Sequence, residues 1–193
     1  MYRYVEGAGT AARFDVIEDI DFLSSTELIC TDYVNHCLRL VDLSLSPPET
    51  STFAGNCTVS GNADGHRLNS ARFLFPKYTE VNNHHFSLLT LDYFATLRMI
   101  DLKTDNVTTL VTFETSSDDM KILGDSLLYL TQNHRVTVFN LETREESIVA
   151  GGESRGSAIG PFNHTRFYYV RGLMLRTDAI IKHLLVADCN NDR

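Results

Sequence analysis

The sequence lacks the features that define several protein classes. Only four of its 193 residues are prolines and it has no long low-complexity tract, which argues against a disordered linker. No window approaches the roughly 18–20 unbroken apolar residues of a membrane helix, and residues 1–10 lack the apolar core of a secretory signal. We therefore expect a soluble, globular chain that does not insert into a membrane.

Basic residues are few and scattered. The chain has 17 Lys and Arg against 25 Asp and Glu, a net charge of -8, and no basic cluster is visible. An acidic surface repels a phosphate backbone, so nucleic-acid binding, to DNA or to RNA, is disfavoured.

Motifs for catalysis and cofactor binding are also absent from the sequence. It contains no nucleophile elbow, phosphate loop or paired-carboxylate motif. His84 and His85 suggest a metal site, but adjacent strand residues point to opposite faces, and a solvated hairpin turn explains them better. We predict no catalytic residue, no cofactor and no metal ligand.

What the sequence does contain is a repeat. An Ala/Thr-Arg-Phe triplet recurs three times, as residues 12–14, 71–73 and 165–167. A longer segment occurs four times, at 28–43, 88–102, 127–141 and 184–193. Each copy has an apolar run followed by a polar turn. In the first two copies the turn is followed by the pattern apolar-Arg-apolar-apolar-Asp-Leu. Short apolar runs between turns predict strands, and no segment has a sustained helical period. The predicted strands are 16–23, 27–33, 37–43, 51–55, 78–82, 86–92, 96–102, 107–113, 119–123, 126–131, 135–140, 145–150, 168–176 and 182–188.

This order of motifs resembles the NHL-repeat family over nearly the whole chain. In the first unit, the resemblance rests on Asp32, Asn35-His36, Arg39 and Asp42-Leu43, followed by a Gly-rich turn and Ala71-Arg72-Phe73. The units are degenerate: the second lacks Asn-His, the third lacks Ala-Arg-Phe, and the fourth has Asn191-Asp192 in place of Asn-His. The resemblance implies an all-β β-propeller of four-stranded antiparallel blades.

Three to four blades would be present, as part of a six-bladed ring. We expect one propeller region over 1–193 with these units: 1–8 as the end of a preceding blade, 9–57, 68–113, 117–152, and an incomplete blade at 162–193. Since three to four blades leave open edges, we expect a fragment of a longer ring.

The repeated polar residues are predicted to be structural, because an active site occurs once whereas a structural residue occurs in every copy. Asp32, Asp92 and Asp188 suit carboxylates that accept backbone N–H groups of the following turn. Asn35 and Asn133 suit left-handed turn positions, with His36 and His134 packing on a neighbouring strand. The three repeated arginines, Arg13, Arg72 and Arg166, should tie the incoming strand to the adjacent blade, with the neighbouring Phe residues in the core between blades.

Cysteines and sequons indicate a compartment. If the strands on either side of Pro47-Pro48 pair, Cys37 falls opposite Cys57, which favours a disulfide, although two buried thiols are the alternative. Cys30 is predicted to be a buried free thiol. Three glycosylation sequons, at Asn56, Asn106 and Asn163, agree with an extracellular or luminal setting, given an upstream signal.

The sequence favours a non-enzymatic scaffold or interaction module that binds a protein or glycan partner. Binding residues would lie in non-repeated rim loops, such as 58–70, 114–119 and 151–164. The alternative is part of a metal-dependent propeller lyase or hydrolase, with ligands on loops at one end of the ring.

Overall fold

The computed structural model describes residues 4–161, 164–177 and 182–191. The fold is all-β, built from antiparallel sheets, with two short 3-10 turns at Gly9–Ala11 and Cys189–Asn191. The chain divides into two compact units, residues 1–113 (unit 1) and 114–193 (unit 2). No helix among the described residues is long and apolar enough to cross a membrane.

Unit 1 contains two five-stranded sheets. The first sheet has β1 (Gly7–Ala8), β2 (Ile17–Ser24), β3 (Glu27–Asp32), β4 (Cys37–Asp42) and β5 (Glu49–Gly55), in the order β1-β5-β4-β3-β2. The second has β6 (Gly65–His66), β7 (Pro76–Asn82), β8 (Ser87–Asp92), β9 (Thr96–Asp101) and β10 (Asn106–Thr112), in the order β6-β10-β9-β8-β7. The two sheets thus have the same topology.

Unit 2 contains a four-stranded sheet and a two-stranded sheet. The first of these has β11 (Met120–Leu123), β12 (Leu127–Gln132), β13 (Arg135–Asn140) and β14 (Glu146–Gly151) in sequence order. The second pairs β15 (Val170–Thr177) with β16 (Lys182–Asp188). Every predicted strand is present, with ends displaced by at most two residues.

The assignment of residues 1–8 to a preceding blade is wrong for the part that the structure describes. Gly7 and Ala8 pair with Thr50 and Glu49 and so form the fifth strand of the first sheet. Gly9 N–H donates to Pro48 O at 2.8 Å, which fixes the chain beside β5. β6 pairs with β10 in the same way, so a short fifth strand is a regular part of both sheets.

The core of unit 1 lies between its two sheets. Ile29, Leu38 and Ala54 of the first sheet pack with the second, whose contributing residues are Val81, Leu88, Ile100 and Val107. Phe73 of the repeated triplet lies inside this cluster, as predicted. Apolar side chains between two stacked sheets explain why the strand sequences read as continuous apolar runs.

Two glycines let the repeated Phe approach the backbone. Gly55 and Gly151 are the last residues of β5 and β14 and have φ of +91° and +92°. A Cβ on Gly55 would lie 2.8 Å from the Phe73 ring, and one on Gly151 would lie 3.0 Å from the Phe167 ring. A larger residue at Gly55 would therefore displace the Phe73 ring, and one at Gly151 would also clash with the backbone carbonyl oxygen of His134.

In both units, side-chain carboxylates accept hydrogen bonds from backbone N–H groups at the free edge of a strand. The strand is β7 in unit 1 and β15 in unit 2. Thr79 and Val81 of β7 donate their backbone N–H groups to Asp19 and Asp21 of the first sheet, at 2.9 and 2.8 Å. In unit 2 Leu173 N–H donates to Asp119 at 2.6 Å. These contacts satisfy edge donors that would otherwise be open to another strand.

Candidate functional site

The repeated Asp and the strand arginine form a buried polar network in the first sheet. Arg39 and Asp32 are both fully buried, with Nη1 3.1 Å from Oδ2. Asp32 Oδ1 also accepts Asp15 N–H and Asn35 Nδ2, each at 2.8 Å. Arg39 also donates to three carbonyls, Arg13 O, Val5 O and Ser51 O, at 3.2–3.3 Å, and its guanidinium lies over the Tyr4 and Phe14 rings. Because all members of the network are satisfied by one another, we assign it to the structure of the sheet.

The second sheet repeats the arginine but not the buried pair. Arg98 donates to Arg72 O and Ala63 O at 3.0 and 2.8 Å, and its Nη2 lies 2.7 Å from Asp64 Oδ1. The Asp64 side chain is 46% exposed. Asp92, the counterpart of Asp32, instead accepts Thr96 N–H at 2.9 Å, and burial raises its pKa.

Two predicted roles of the repeated residues need correction. Asn35 does not hold the left-handed turn position: His36 does, with φ +60°, because the Asn35 amide is drawn inward to the buried Asp32 carboxylate. Asn133 has the predicted left-handed conformation, with φ +55°. Asp32 does accept a backbone N–H, but that of Asp15 rather than of its own turn.

The triplet arginines do not tie one sheet to the next. Arg13 and Arg72 donate to carbonyls of their own segments, Ala12 O and Ala71 O, at 2.7 Å each. Within each sheet of unit 1 the strand arginine instead holds the triplet, since Arg39 and Arg98 donate to the carbonyls of Arg13 and Arg72. Arg39 and Arg98 can do this because they are buried, whereas Arg13 is exposed and Arg72 is only partly buried.

An aromatic surface lies at the end of unit 1 where β3 and β8 run into turns, and it was not predicted from the sequence. We define the aromatic surface as Tyr33, Phe75, Tyr93 and Phe94. Tyr33 lies 5.0 Å from Phe75 and 6.3 Å from Tyr93, and Tyr93 lies 5.3 Å from Phe94, as ring-centroid distances. Tyr93 is 52% and Phe94 56% exposed. Four aromatic rings in contact with each other and with solvent are a strong candidate for a binding surface.

The strand ends position these rings. Tyr33 and Tyr93 directly follow Asp32 and Asp92, and their N–H groups donate to Val16 O and Phe75 O at 3.0 Å each. Phe75 has φ +52°. Its N–H donates to His36 Nδ1 at 3.2 Å, and the two rings pack edge to face at 4.3 Å. A left-handed Phe is strained by about 1–2 kcal/mol, so this contact with His36 is needed to hold the ring in place.

Protonation supports the same geometry. Burial lowers the pKa of His36, which keeps Nδ1 free to accept the Phe75 N–H. Burial also raises the pKa of Tyr33, so its phenol remains a hydrogen-bond donor at neutral pH. Glu18 adds to this rise in the pKa of Tyr33, and Lys77 opposes it.

The cysteines are arranged as the sequence predicted, although the register differs. Cys37 and Cys57 form a disulfide with Cα atoms 5.0 Å apart. Cys37 pairs directly with Gly55, because the ladder begins with Asp42 opposite Glu49 and the turn is therefore centred before Pro47-Pro48. Cys57 lies two residues beyond the end of β5. Cys30 is a buried free thiol whose pKa burial raises to about 11, whereas Cys189 is exposed.

The predicted glycosylation sites differ in their surroundings. Asn106 is exposed at the start of β10, whereas Asn56 is partly buried and its Oδ1 accepts Thr58 N–H and Oγ1–H. Asn163 lies outside the described residues. All three stay predictions.

Histidines and carboxylates do not gather into a metal site in the described part of the chain, where no group of three or more potential ligands is found. His84 and His85 lie exposed in the β7–β8 turn, and their N–H groups donate to Asn82 Oδ1.

The three loops predicted to carry binding residues play unequal parts. Loop 58–70 supplies Arg67 and Leu68 to a cleft of about 550 Å³ in unit 1, where Arg67 pairs with Asp105 at 2.7 Å. Loop 114–119 turns Ser117 inward, onto Thr131 O at 2.5 Å. The described part of loop 151–164 contributes Arg155, which contacts Tyr168.

Comparisons with known proteins identify the fold but no family. No protein-family model matches the chain, and no curated protein matches it. Among solved structures, an auxiliary nutrient binding protein from Bacteroides ovatus is similar over 89% of this chain and 42% of its own, with 16% identity and a TM-score of 0.66. Another, from Bacteroides thetaiotaomicron, is similar over 98% of this chain and 57% of its own, with 14% identity and a TM-score of 0.51.

The chain therefore spans about half the length of these structures. At such identities the similarity is one of fold alone: a sheet-rich fold shared with bacterial nutrient-binding proteins.

Proposed function

We propose that this chain is a non-enzymatic binding module that holds a glycan on the aromatic surface of unit 1. The proposal rests on one observation: Tyr93 and Phe94 are exposed beside Tyr33 and Phe75, and each of the four rings contacts at least one other. The C–H bonds on one face of a sugar ring carry partial positive charge and pack on the negative face of an aromatic ring.

Polar groups at the rim of the surface suit hydroxyl-rich ligands. The phenols of Tyr33 and Tyr93 donate and accept hydrogen bonds, and Glu18 and Lys77 act electrostatically on Tyr33. Few precisely placed polar groups around apolar rings are typical of small-ligand sites. A protein partner would be favoured by a larger, continuous apolar area, whereas here the phenols of Tyr33 and Tyr93 place polar groups among the rings.

The similar solved structures support a binding role. Two of them are auxiliary nutrient binding proteins, and their shared fold makes ligand binding by this chain a reasonable extension. A metal-dependent lyase or hydrolase, the alternative from sequence, has no specific observation in its favour.

The finer architecture is part of the proposal. We infer a propeller related to the NHL repeats, with blades at 9–57, 68–113, 117–152 and 162–193 in a six-bladed ring. The support is that the two sheets of unit 1 have the same topology, and that β2 carries Ile20 and Phe22 opposite the Asp19 and Asp21 side. Apolar residues on both faces are typical of stacked blades. Electron-microscopy class averages of the protein from its native source should show six blades.

An oxidising compartment also belongs to the proposal, with the Cys37–Cys57 disulfide as its support. Fractionation of the native cells should place the chain outside the cytosol, and recovery of both cysteines as thiols would contradict this.

The binding proposal is tested with two phenylalanines of equal exposure. Phe94 and Phe86 are each 56% exposed and lie in the turns at opposite ends of β8, but only Phe94 belongs to the aromatic surface. A neutral oligosaccharide is selected on a glycan array and its affinity is measured by calorimetry. Phe94→Ala should weaken binding about tenfold, since losing one stacked ring costs roughly 1.4 kcal/mol, whereas Phe86→Ala should leave it unchanged.

Two outcomes would overturn the proposal. One is an equal loss of affinity in both variants. The other is an array with no bound glycan together with capture of a protein partner that Phe94→Ala abolishes, which would make the surface a protein-binding site.

A further inference from the structure

Unit 2 has a second surface of aromatic rings, built around the same histidine contact. His134 Nδ1 accepts the Tyr169 N–H at 3.4 Å, as His36 Nδ1 accepts that of Phe75. Tyr169 has φ +61°, close to the +52° of Phe75. The recurrence of a left-handed aromatic residue on a turn histidine shows that the two units present rings in the same way.

The rings of unit 2 are arranged around two adjacent tyrosines. Tyr168 and Tyr169 lie 5.7 Å apart with a 34° angle between their planes. His134 lies 6.0 Å from Tyr168 and 5.3 Å from Tyr169. The backbone is fixed on both sides, since Cys189 N–H donates to Tyr169 O and Asn190 N–H to Tyr168 O, each at 3.0 Å.

What distinguishes this surface from that of unit 1 is a guanidinium group. Arg155 Nη1 donates to the Tyr168 phenol oxygen at 3.0 Å, and its Cζ lies 5.1 Å from the Tyr168 ring centre. The neighbouring residue Gly156 is anchored by its N–H on Phe167 O and by Asn191 Nδ2 on its carbonyl. Arg155 is therefore held beside the rings, and its hydrogen-bond partner in the described chain is a neutral phenol rather than a carboxylate.

The charge of unit 2 is also less negative. Residues 114–193 have nine Lys and Arg against 11 Asp and Glu, whereas residues 1–113 have eight against 14. Glu153, the acidic residue nearest to Arg155 in sequence, pairs with Arg135 at 2.9 Å. An anion approaching Arg155 thus meets less repulsion than it would at unit 1.

We propose that Arg155, Tyr168 and Tyr169 form a second binding site, specific for an acidic saccharide. A uronate carboxylate would accept two N–H groups of the Arg155 guanidinium, and the sugar ring would pack on the tyrosine faces. Planar guanidinium groups match carboxylates in this bidentate manner, and Arg already stacked on an aromatic ring loses little freedom on binding. The site is independent of the aromatic surface of unit 1 and extends the proposed function to a second ligand class.

The test uses trigalacturonic acid and its methyl ester, which differ in charge but not in ring structure. Calorimetry with the full chain should show binding of the acid and at least tenfold weaker binding of the ester. Arg155→Gln should weaken binding of the acid at least tenfold, and raising the salt concentration should weaken it further in the native protein. The matched control is Arg176→Gln, which removes an exposed arginine at the far end of β15.

A further variant separates charge from geometry. Arg155→Lys keeps the charge but loses the planar fork, so it should bind the acid with intermediate affinity. The inference is overturned if the native protein does not bind the acid, if the ester binds as well as the acid, or if Arg176→Gln and Arg155→Gln have equal effects. Phe94→Ala should leave acid binding intact, so failure of the unit 1 site and failure of this site give different results.

Discussion

The buried pair of Arg39 and Asp32 should be worth more to folding than the corresponding pair of Arg98 and Asp64. Arg39→Met keeps most of the side-chain volume but leaves the fully buried Asp32 carboxylate with two donors, Asp15 N–H and Asn35 Nδ2. Removing one partner of a buried ion pair costs about 3–5 kcal/mol, because the other charge stays in the interior without compensation.

Arg98→Met is the matched control. It also frees two backbone carbonyls, but Asp64 is 46% exposed and keeps Thr109 N–H and Oγ1–H as donors, each at 2.9 Å. In addition, Arg98 Nε is buried without a partner, so the native side chain already carries a desolvation cost. We expect a loss of about 1–3 kcal/mol, the usual range for a hydrogen bond to a charged group.

The assay is urea unfolding followed by far-UV circular dichroism, since the chain has no tryptophan. Adding Asp32→Asn to Arg39→Met should restore about 1–2 kcal/mol, because an amide oxygen still accepts Asp15 N–H without a buried charge. Adding Asp64→Asn to Arg98→Met should restore nothing. A loss in Arg98→Met equal to or greater than that in Arg39→Met, or the absence of rescue by Asp32→Asn, would refute this reasoning.

Four other predictions follow from the structure. Since burial raises the pKa of Asp92, its folded form favours the proton and stability falls as pH rises above the ordinary value of 3.8; Asp92→Asn should therefore unfold at higher urea than the native protein at pH 7 and show a flatter pH profile. Iodoacetamide at pH 8 should alkylate the exposed Cys189 but not Cys30, whose pKa is about 11, and mass spectrometry would reveal equal labelling if burial were not protective. Cys37→Ser should lose roughly 3 kcal/mol for a loop with 20-residue separation and abolish the mobility difference between reduced and non-reduced gels. Expression in a glycosylating secretory host should give a mass shift that Asn106→Gln reduces, and an unglycosylated native chain would contradict the sequon prediction.

The strands could be predicted from sequence because their signals are local. Each is a short apolar run bounded by a polar turn, and the neighbouring hairpin fixes which strand it pairs with. The disulfide was predicted for a related reason, because the chain between Cys37 and Cys57 forms one hairpin. Its register was not, since the turn is centred before Pro47-Pro48, with Asp42 opposite Glu49, and the sequence marks a turn without fixing its exact centre.

The candidate site could not be predicted because it forms only after folding. Tyr33 and Phe75 are 42 positions apart in sequence, and their contact requires two sheets to stack. The role of the arginines was mispredicted for a similar reason. Each sheet of unit 1 has one arginine in a strand and one in the triplet, and the sequence does not say which of the two becomes buried.

Repetition turns out to be a poor criterion for separating structural residues from binding residues. The repeated Asp at the end of a strand is buried, whereas the residue directly after it is a tyrosine at the surface in unit 1, as Tyr33 and Tyr93. The residues directly before β2, β7 and β15 all have a left-handed backbone conformation; they are Val16, Phe75 and Tyr169. The backbone conformation therefore repeats, while the side chain varies from aliphatic to aromatic. A glycine would meet the backbone requirement without strain, which means that the ring at Phe75 and Tyr169 must be retained for its contacts. Those contacts are with a histidine on one side and with solvent-facing aromatic rings on the other, so one repeated position both fixes the turn and presents the surface that we propose as the binding site.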